Sequence, residues 1–311
     1  MYLIDVIWDN QSKIPSLLYR ESEDLQEDKE FPLEYDSPIT FRLKDKKYCI
    51  GYIDYDKEKR VGCPNNASIL DAKYNQCYSC RAKEVSHIID INALSIKEQE
   101  GLKKYPYLNY INLFPADIVK TGVASVWREH IRILEQGAIM SMYFASSDGL
   151  IARQIENFVS SNLDIRQAVR WDTKLADLVP SFDSNQQETQ LMDMYEKLTG
   201  ILPDDLKQYI LKKPKIYNNV AYYKLDYLNS VDKFHYIKSI KPGDCISGQI
   251  KGIYGKILLL LNSNKLFAIN LQSLSGISLD MNNEMAEQSF SDTPKEITLR
   301  GKAKQMNLFG L

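Results

Sequence analysis

Four of the five cysteines, Cys49, Cys63, Cys77 and Cys80, fall in one stretch of the chain. Cys77-Tyr-Ser-Cys80 is a CxxC knuckle, a spacing that lets two thiolates reach one metal ion from a tight turn. Cys49 and Cys63 complete a tetrahedral sulfur set, for which Zn²⁺ is the expected occupant. Four protein ligands leave no open position, so this zinc would staple the fold and do no chemistry. A redox CxxC, or unrelated buried thiols, are the competing readings, and His87 is a reserve ligand. Cys245, far along the chain, reads as an inert buried thiol.

A second group of residues that could do chemistry lies between Tyr105 and Leu163. Tyr110 sits on a first strand, Lys120-Thr121-Gly122 on a second, Arg128 and Arg132 on a helix, and Glu156 on a later helix. The elements that must position them read as strand, strand, helix, strand, helix. Ser125 is the expected cap of the first helix, with Trp127, Ile131 and Leu134 as its apolar stripe. Arg128 and Arg132 are then one turn apart, able to face a shared anion or to pair with Glu129 or Glu135. Asp148 is the expected cap of the second helix, with Ile151, Ile155 and Phe158 turned inward. Glu156 lies beside that stripe, with Arg153 as its ordinary partner. Gly122 leaves room for backbone or substrate to come close.

This stretch resembles a divergent GIY-YIG nuclease module, whose core is the same β-β-α-β-α order. Leu108-Asn109-Tyr110 stands in for the first motif and Lys120-Thr121-Gly122 for the second. The resemblance implies catalytic roles for Tyr110, Lys120 and Arg132, with Arg128 as a competitor for the arginine. It also implies that Glu156 binds a catalytic Mg²⁺ or Mn²⁺. Hydrolysing a phosphodiester needs charge neutralised on the phosphorane and a nucleophile made from water, and these residue types supply both. The first motif lacks its Gly, and Lys120 replaces a Tyr. These departures support a rival expectation, a catalytically inactive zinc-containing adaptor that binds DNA or RNA. Cys49-Ile-Gly51, Cys63-Pro64, Gln76-Cys77-x-x-Cys80, Glu135-Gln136-Gly137-Ala138, Ala152-Arg153-x-x-Glu156 and Gly252-Ile-Tyr-Gly255 resemble a wider prokaryotic family of unknown function. That family joins a four-cysteine zinc ribbon to a GIY-YIG-like core and a β-rich C-terminal part.

From Trp171 to Leu211 the pattern reads as helical, with Leu191, Met194, Tyr195 and Leu198 on one face and a restart after Pro203 through Tyr209-Ile-Leu-Lys-Lys213. From Ile216 to Ile277 it reads as strands, beginning with Asn218 to Leu228. Between Lys212 and Lys256 nine lysines face three aspartates, whereas ten acidic residues face three basic ones from Met1 to Asp36. Lysines among Tyr217, Tyr222, Tyr223, Tyr227, Tyr236 and Tyr254 suit a nucleic-acid platform, or equally a Tyr-filled core under a solvated face. After Asp280 the chain turns polar and reads as a flexible tail. It ends in Gln305-Met-Asn-Leu308-Phe309-Gly-Leu311, which resembles the peptide that docks on the bacterial sliding clamp, Leu308 and Phe309 filling a pocket and Gln305 fixing register. The competing reading is a tail folded back on its own domain.

The expected fold is therefore α+β and multidomain. Residues 1–90 form a β-rich region with the zinc site, 91–175 the GIY-YIG-like domain, 176–215 a helical connector, 216–280 a small basic antiparallel β domain, and 281–311 a disordered tail. No apolar run reaches bilayer length, the longest being Ile257 to Leu261, and Met1 to Lys13 lacks the pattern of a secretory signal, so a cytoplasmic protein is expected. The leading expectation is a DNA endonuclease of repair or replication recruited by the sliding clamp.

Overall fold

The computed structural model describes residues 1–9, 12, 14–21, 27–71, 73–84, 95–178 and 182–299, without the side chains of residues 97, 98 and 176. His87 and the peptide Gln305 to Leu311 lie outside the described residues. In chain order the elements are β1 (Tyr2–Trp8), β2 (Pro15–Arg20), β3 (Asp28–Pro32), β4 (Pro38–Lys47), β5 (Tyr52–Asp54), β6 (Lys59–Val61) and α1 (Tyr78–Arg81). Then come α2 (Ile96–Lys103), β7 (Pro106–Phe114), β8 (Ile118–Ser125), α3 (Glu129–Gln136), β9 (Met140–Asp148), α4 (Gly149–Leu163), α5 (Trp171–Ala176), α6 (Ser184–Ile201), α7 (Asp204–Lys207) and β10 (Ile210–Asn218). The last are α8 (Val220–Tyr223), β11 (Lys233–Tyr236), β12 (Cys245–Tyr254), β13 (Ile257–Asn262), β14 (Lys265–Asn270), β15 (Ile277–Asn282) and β16 (Lys295–Thr298). The fold is mixed α+β. No helix among the described residues is long and apolar enough to cross a membrane.

The chain forms two compact units. One takes residues 1–84 and 222–299; the other holds residues 95–221. The first is built on a ten-stranded sheet in the order β16-β11-β14-β13-β12-β4-β15-β1-β2-β3. Its middle is the run Ile257 to Leu261 on β13, hydrogen-bonded on both sides by β12 and β14, where a continuous apolar strand belongs. The segments read from sequence as two domains, 1–90 and 216–280, share this sheet: β4 lies between β12 and β15. Either segment alone would leave an open edge of unpaired backbone groups. Alternation along a strand reports its faces and carries no information about its neighbours.

Three local differences from the sequence reading have physical causes. Asn218 to Leu228 is no strand; α8 and a 3₁₀ turn over Asp226–Ser230 bury Tyr223, Leu225 and Leu228, and the Tyr223 ring meets Trp8 and Tyr254 edge-on at 5.7 and 5.2 Å. Tyr223, Tyr236 and Tyr254 are therefore core, not platform. The helix restarted at Pro203 stops at Lys207, and Ile210–Asn218 becomes a strand along the edge of β9. Finally, residues 281–299 are held in place. Ser289 exchanges backbone bonds with Cys245, Ser291 donates to Asp244 through backbone and hydroxyl, and β16 pairs with β11.

The second unit is a four-stranded antiparallel sheet, β10-β9-β7-β8. One face carries Ile111, Leu113, Met142 and Phe144, and packs against Ile155 and Val159 of α4 and Leu191 and Leu198 of α6, while Asn109 Nδ2 donates to the Ala152 carbonyl of α4 at 2.7 Å. α4 starts where its signals place it: Asp148 Oδ1 accepts from the backbone N–H groups of Leu150 and Ile151 at 2.9 and 3.0 Å. The other face carries Leu108, Tyr110, Ala124 and Tyr143 under Ile133 of α3. α3 ends at Gly137, whose φ of 71° suits glycine.

Candidate functional site

The four cysteines come together. Their sulfur atoms all lie within 4.8 Å of one another, and Cys63 Sγ is 3.9 Å from Cys77 Sγ. Four thiolates on Zn²⁺ would sit about 3.8 Å apart, given a Zn–S bond of about 2.3 Å. Cys49 Sγ accepts from the backbone N–H of Gly51 (3.4 Å) and Cys77 (3.1 Å), the donors a metal-bound thiolate needs. Burial pushes the Cys49 thiol up to about 11 and the Cys80 thiol further still. Burial also acts against Cys77, but donors from Cys80 and the neighbouring thiols outweigh it and hold that thiol below its usual value. Buried thiols crowded in this way are satisfied by a metal that takes them as thiolates. The four residues fit zinc.

The loops that present them are tightly specified. Gly51 has φ +75°, and a side chain there would overlap the Val61 carbonyl. A Cβ on Gly62 would overlap the Arg20 guanidinium, which donates to the Cys63 carbonyl at 3.0 Å and pairs with Asp28 at 2.6 Å. Asp28 in turn accepts from the Gly62 N–H at 3.0 Å. The β2–β3 hairpin thus clamps the Cys63 loop. Cys77 caps α1, a helix of only four residues, and the gathering of Cys49 and Cys63 beside it is something a redox pair would not need. Cys245 is a buried thiol on β12, away from this group.

On the α3 face of the second unit, the antiparallel register sets Tyr110 opposite Gly122 and Asn112 opposite Lys120. Side chains directly opposed across strands share a face. The Tyr110 ring lies in the space Gly122 leaves: a Cβ there would come within 2.8 Å of Tyr110 Cε2 and closer still to Cζ and the hydroxyl. The room expected at Gly122 for a substrate is filled by this tyrosine. Lys120 Nζ donates to the Tyr110 hydroxyl at 3.2 Å, and the charge of the Arg132 guanidinium acts on the same oxygen. Burial works to raise the Tyr110 phenol, yet the charges of Lys120 and Arg132 outweigh it and hold the phenol below its ordinary value. Tyr143, on the neighbouring strand, feels Arg132 too, but burial outweighs that charge and pushes it far up, and it donates to the Glu129 carbonyl.

The two arginines do face one anion, and it is Glu135. Arg128 Nη2 binds both carboxylate oxygens, at 2.8 and 2.7 Å, while Arg132 reaches Glu135 only at 3.6 Å. Arg128 is thereby occupied. Arg132 is turned to Tyr110 and keeps 33% of its side chain exposed, so it marks the mouth of the site. The helix face differs from the expected stripe because a 3₁₀ turn, Val126–Arg128, takes up its first residues; Ile133 and Leu134 are buried, and Trp127 and Ile131 are only half-buried.

Glu156 rides on α4, which packs on the opposite face of the sheet, and its carboxylate is held by Arg153 Nη1 at 2.7 Å. Its charge is felt at Tyr110. The charges acting on Tyr110 are mainly cationic, and the two α3 carboxylates are taken up, Glu135 by Arg128 and Glu129 by Lys215 and Tyr217. This donor set does not fit a divalent cation as it stands. Sequence reasoning missed Lys174 and Asn112. Lys174 on α5 is buried, donates to the Gln136 carbonyl at 2.6 Å and lies 4.1 Å from the Phe114 ring centre. Burial, together with the charges of Lys120 and Arg132, brings it down to about 7.

No curated protein and no solved structure matches the chain. A family profile does match it, over residues 37–279, a span that runs from β4 into β15 and takes in all four cysteines together with Tyr110, Lys120, Arg132, Lys174 and Glu156. The zinc-site cysteines and the cationic sheet face thus fall inside one shared sequence pattern, and the chain belongs to the DUF2797 family of proteins of unknown function.

Proposed function

We propose that the α3 face of the 106–148 sheet is the working site of a GIY-YIG-type DNA endonuclease of repair or replication. The observation that carries this reading is the Tyr110 hydroxyl, 3.2 Å from Lys120 Nζ and held below its ordinary value by the charges of Lys120 and Arg132. A phenol whose anion is stabilised by two cations can take a proton from water at neutral pH more readily than an ordinary tyrosine. The hydroxide so formed would attack the phosphorus as the P–O bond to the leaving sugar oxygen breaks, and that oxygen would take up a proton from solvent while Tyr110 keeps the one taken from water. Arg132, at the mouth, would neutralise the charge that builds on the phosphorane oxygens. Mg²⁺ or Mn²⁺ at Glu156, which the family likeness implies, has no step here, because Glu156 is tied to Arg153. The zinc site would serve as a structural staple. The tail residues Gln305, Leu308 and Phe309 would recruit the protein to the bacterial sliding clamp.

One observation favours a second reading. With Glu156 engaged by Arg153 and no carboxylate cluster beside Tyr110 among the described residues, the same face could bind a phosphate of DNA or RNA without cutting it, as an adaptor. Incubating the zinc-loaded protein with branched DNA, with and without Mg²⁺ or Mn²⁺, separates the two. The nuclease reading expects nicking that is lost in Tyr110→Phe and Arg132→Ala, and lost in Glu156→Ala if metal is used. No cleavage with any metal, alongside binding that falls steeply with salt, would establish the adaptor instead.

A further inference from the structure

Asn112 is 0% exposed, and neither atom of its side-chain amide has a hydrogen-bond partner. Such a group costs free energy unless something binds it. Its surroundings are unusual in the same way. Lys120, directly opposite on β8, and Lys174 above Phe114 are both buried amino groups with no carboxylate partner among the described residues. Ser141, opposite Asn112 on β9, accepts from Asn219 Nδ2 at 3.0 Å and retains its own proton to donate, while the buried Asn219 Oδ1 is also unpaired. Uncompensated buried cations next to unpaired amides describe a site shaped for an anion.

We propose that Asn112, Lys120, Lys174 and Ser141 form a pocket for a phosphate group, entered past Arg132. The chemistry selects phosphate over a simple carboxylate. Two ammonium groups, the Asn112 amide N–H and the Ser141 hydroxyl ask for more acceptor atoms than two carboxylate oxygens present in one direction. Asn112 Oδ1 and Asn219 Oδ1 ask in addition for a donor, which a P–OH or an adjoining sugar hydroxyl supplies. The burial of all four residues favours a terminal phosphate, free or on a nucleotide end, over an internal diester of a continuous strand. This deepens the nuclease reading, since a terminal phosphate seated here would set an adjacent diester at Arg132 and Tyr110, but the pocket itself can be tested without cleavage.

Full-length zinc-loaded protein is titrated by calorimetry with inorganic phosphate, with a nucleoside 5′-monophosphate and its parent nucleoside, and with a 5′-phosphorylated oligonucleotide and its unphosphorylated twin. The wild type binds the phosphorylated ligands, and Asn112→Leu and Lys174→Met each weaken them by about tenfold or more, the usual loss for a charge-assisted hydrogen bond. Both variants remain folded by circular dichroism, because each replaces a buried polar group with an apolar one of similar size. Binding of free phosphate with no preference for the phosphorylated oligonucleotide also supports the pocket and assigns it to the free ion. No binding of any phosphorylated ligand, or equal binding in wild type and both variants, overturns the proposal. Cleavage without phosphate binding would overturn this pocket and leave the nuclease standing; phosphate binding without cleavage would do the reverse.

Discussion

The close seat of Tyr110 over Gly122 can be tested by a substitution whose effect should change sign. In the wild type, Gly122→Ala places a methyl group inside the contact shell of the Tyr110 ring, at 2.8 Å from Cε2 and nearer to Cζ and the hydroxyl. The ring cannot move freely, because it is buried, meets Tyr143 edge-on at 5.7 Å and is fixed by Lys120. Overpacking of this kind costs about 1–3 kcal/mol. Displacing the hydroxyl from Lys120 adds about 1.5–3 kcal/mol for a bond to a charged group. In a Tyr110→Leu background the clashing ring atoms are gone. Replacing a strand glycine by alanine there should instead stabilise by about 0.5–1 kcal/mol, because it reduces the freedom of the unfolded chain. The assay is urea unfolding followed by tryptophan fluorescence in a Trp8→Phe protein, where Trp127 and Trp171 both report on the unit that holds Tyr110. With m near 1–3 kcal/mol per molar urea, Gly122→Ala should lower the midpoint by about 1 M or more in the first background and leave it level or raised in the second. Equal losses in both backgrounds would mean that Gly122 is needed for some reason other than the Tyr110 ring.

Three other outcomes are expected. The protein should carry one zinc per chain, and Cys77→Ser or a strong chelator should remove it and lower the unfolding midpoint read from Trp8; full stability without metal would refute the zinc assignment. Lys174 should make stability pH-dependent: between about pH 7 and its ordinary 10.5 the unfolded chain binds the proton that the folded chain lacks, so stability rises with pH in that window by up to about 1.4 kcal/mol per unit. The stability advantage of Lys174→Met over wild type should therefore be largest at and below about pH 7 and shrink towards pH 10, with Lys120 and Arg132 as the charges that Lys174 meets; a constant gap would show that Lys174 does not titrate there. Removing residues 305–311 should abolish binding to a bacterial sliding clamp in a pull-down, and undiminished binding would refute the role given to Gln305, Leu308 and Phe309.

What could be read in the sequence was local. The cysteine cluster was legible because the CxxC spacing holds two thiols together and only two further cysteines lay near. The start of α4 was legible because Asp148 precedes the i, i+4, i+7 run of Ile151, Ile155 and Phe158, but its buried face turns to Ala152, Ile155, Glu156 and Val159, with Ile151 and Phe158 only partly buried. The inner face of α3 was misplaced because a 3₁₀ turn consumed its expected first residues. Asn112 and Lys174 were invisible for a different reason. An asparagine among apolar strand residues and a lysine on a short helix have no periodic signature: Asn112 faces Lys120 only because β7 pairs with β8, and Lys174 lies over Phe114 only because α5 folds back on that strand. The partner of β4 was equally hidden, since nothing in residues 38–47 points to a strand that begins at Cys245.

That last pairing has a consequence in time. Strand β4 is bonded on one side by β12 and on the other by β15. About 200 residues are synthesised between the end of β4 and the start of β12, which at 5–20 residues per second takes roughly 10–40 s on a ribosome. Through that interval both edges of β4 have no strand to bond. The four cysteines, by contrast, emerge just behind β4 and ahead of the second unit. Early capture of zinc would tether the nascent β4 to the β2–β3 hairpin through Arg20, Asp28 and the Cys63 loop while its neighbours are still being made. In metal-poor cells the same edges would wait untethered, and newly made chains would be the ones to aggregate.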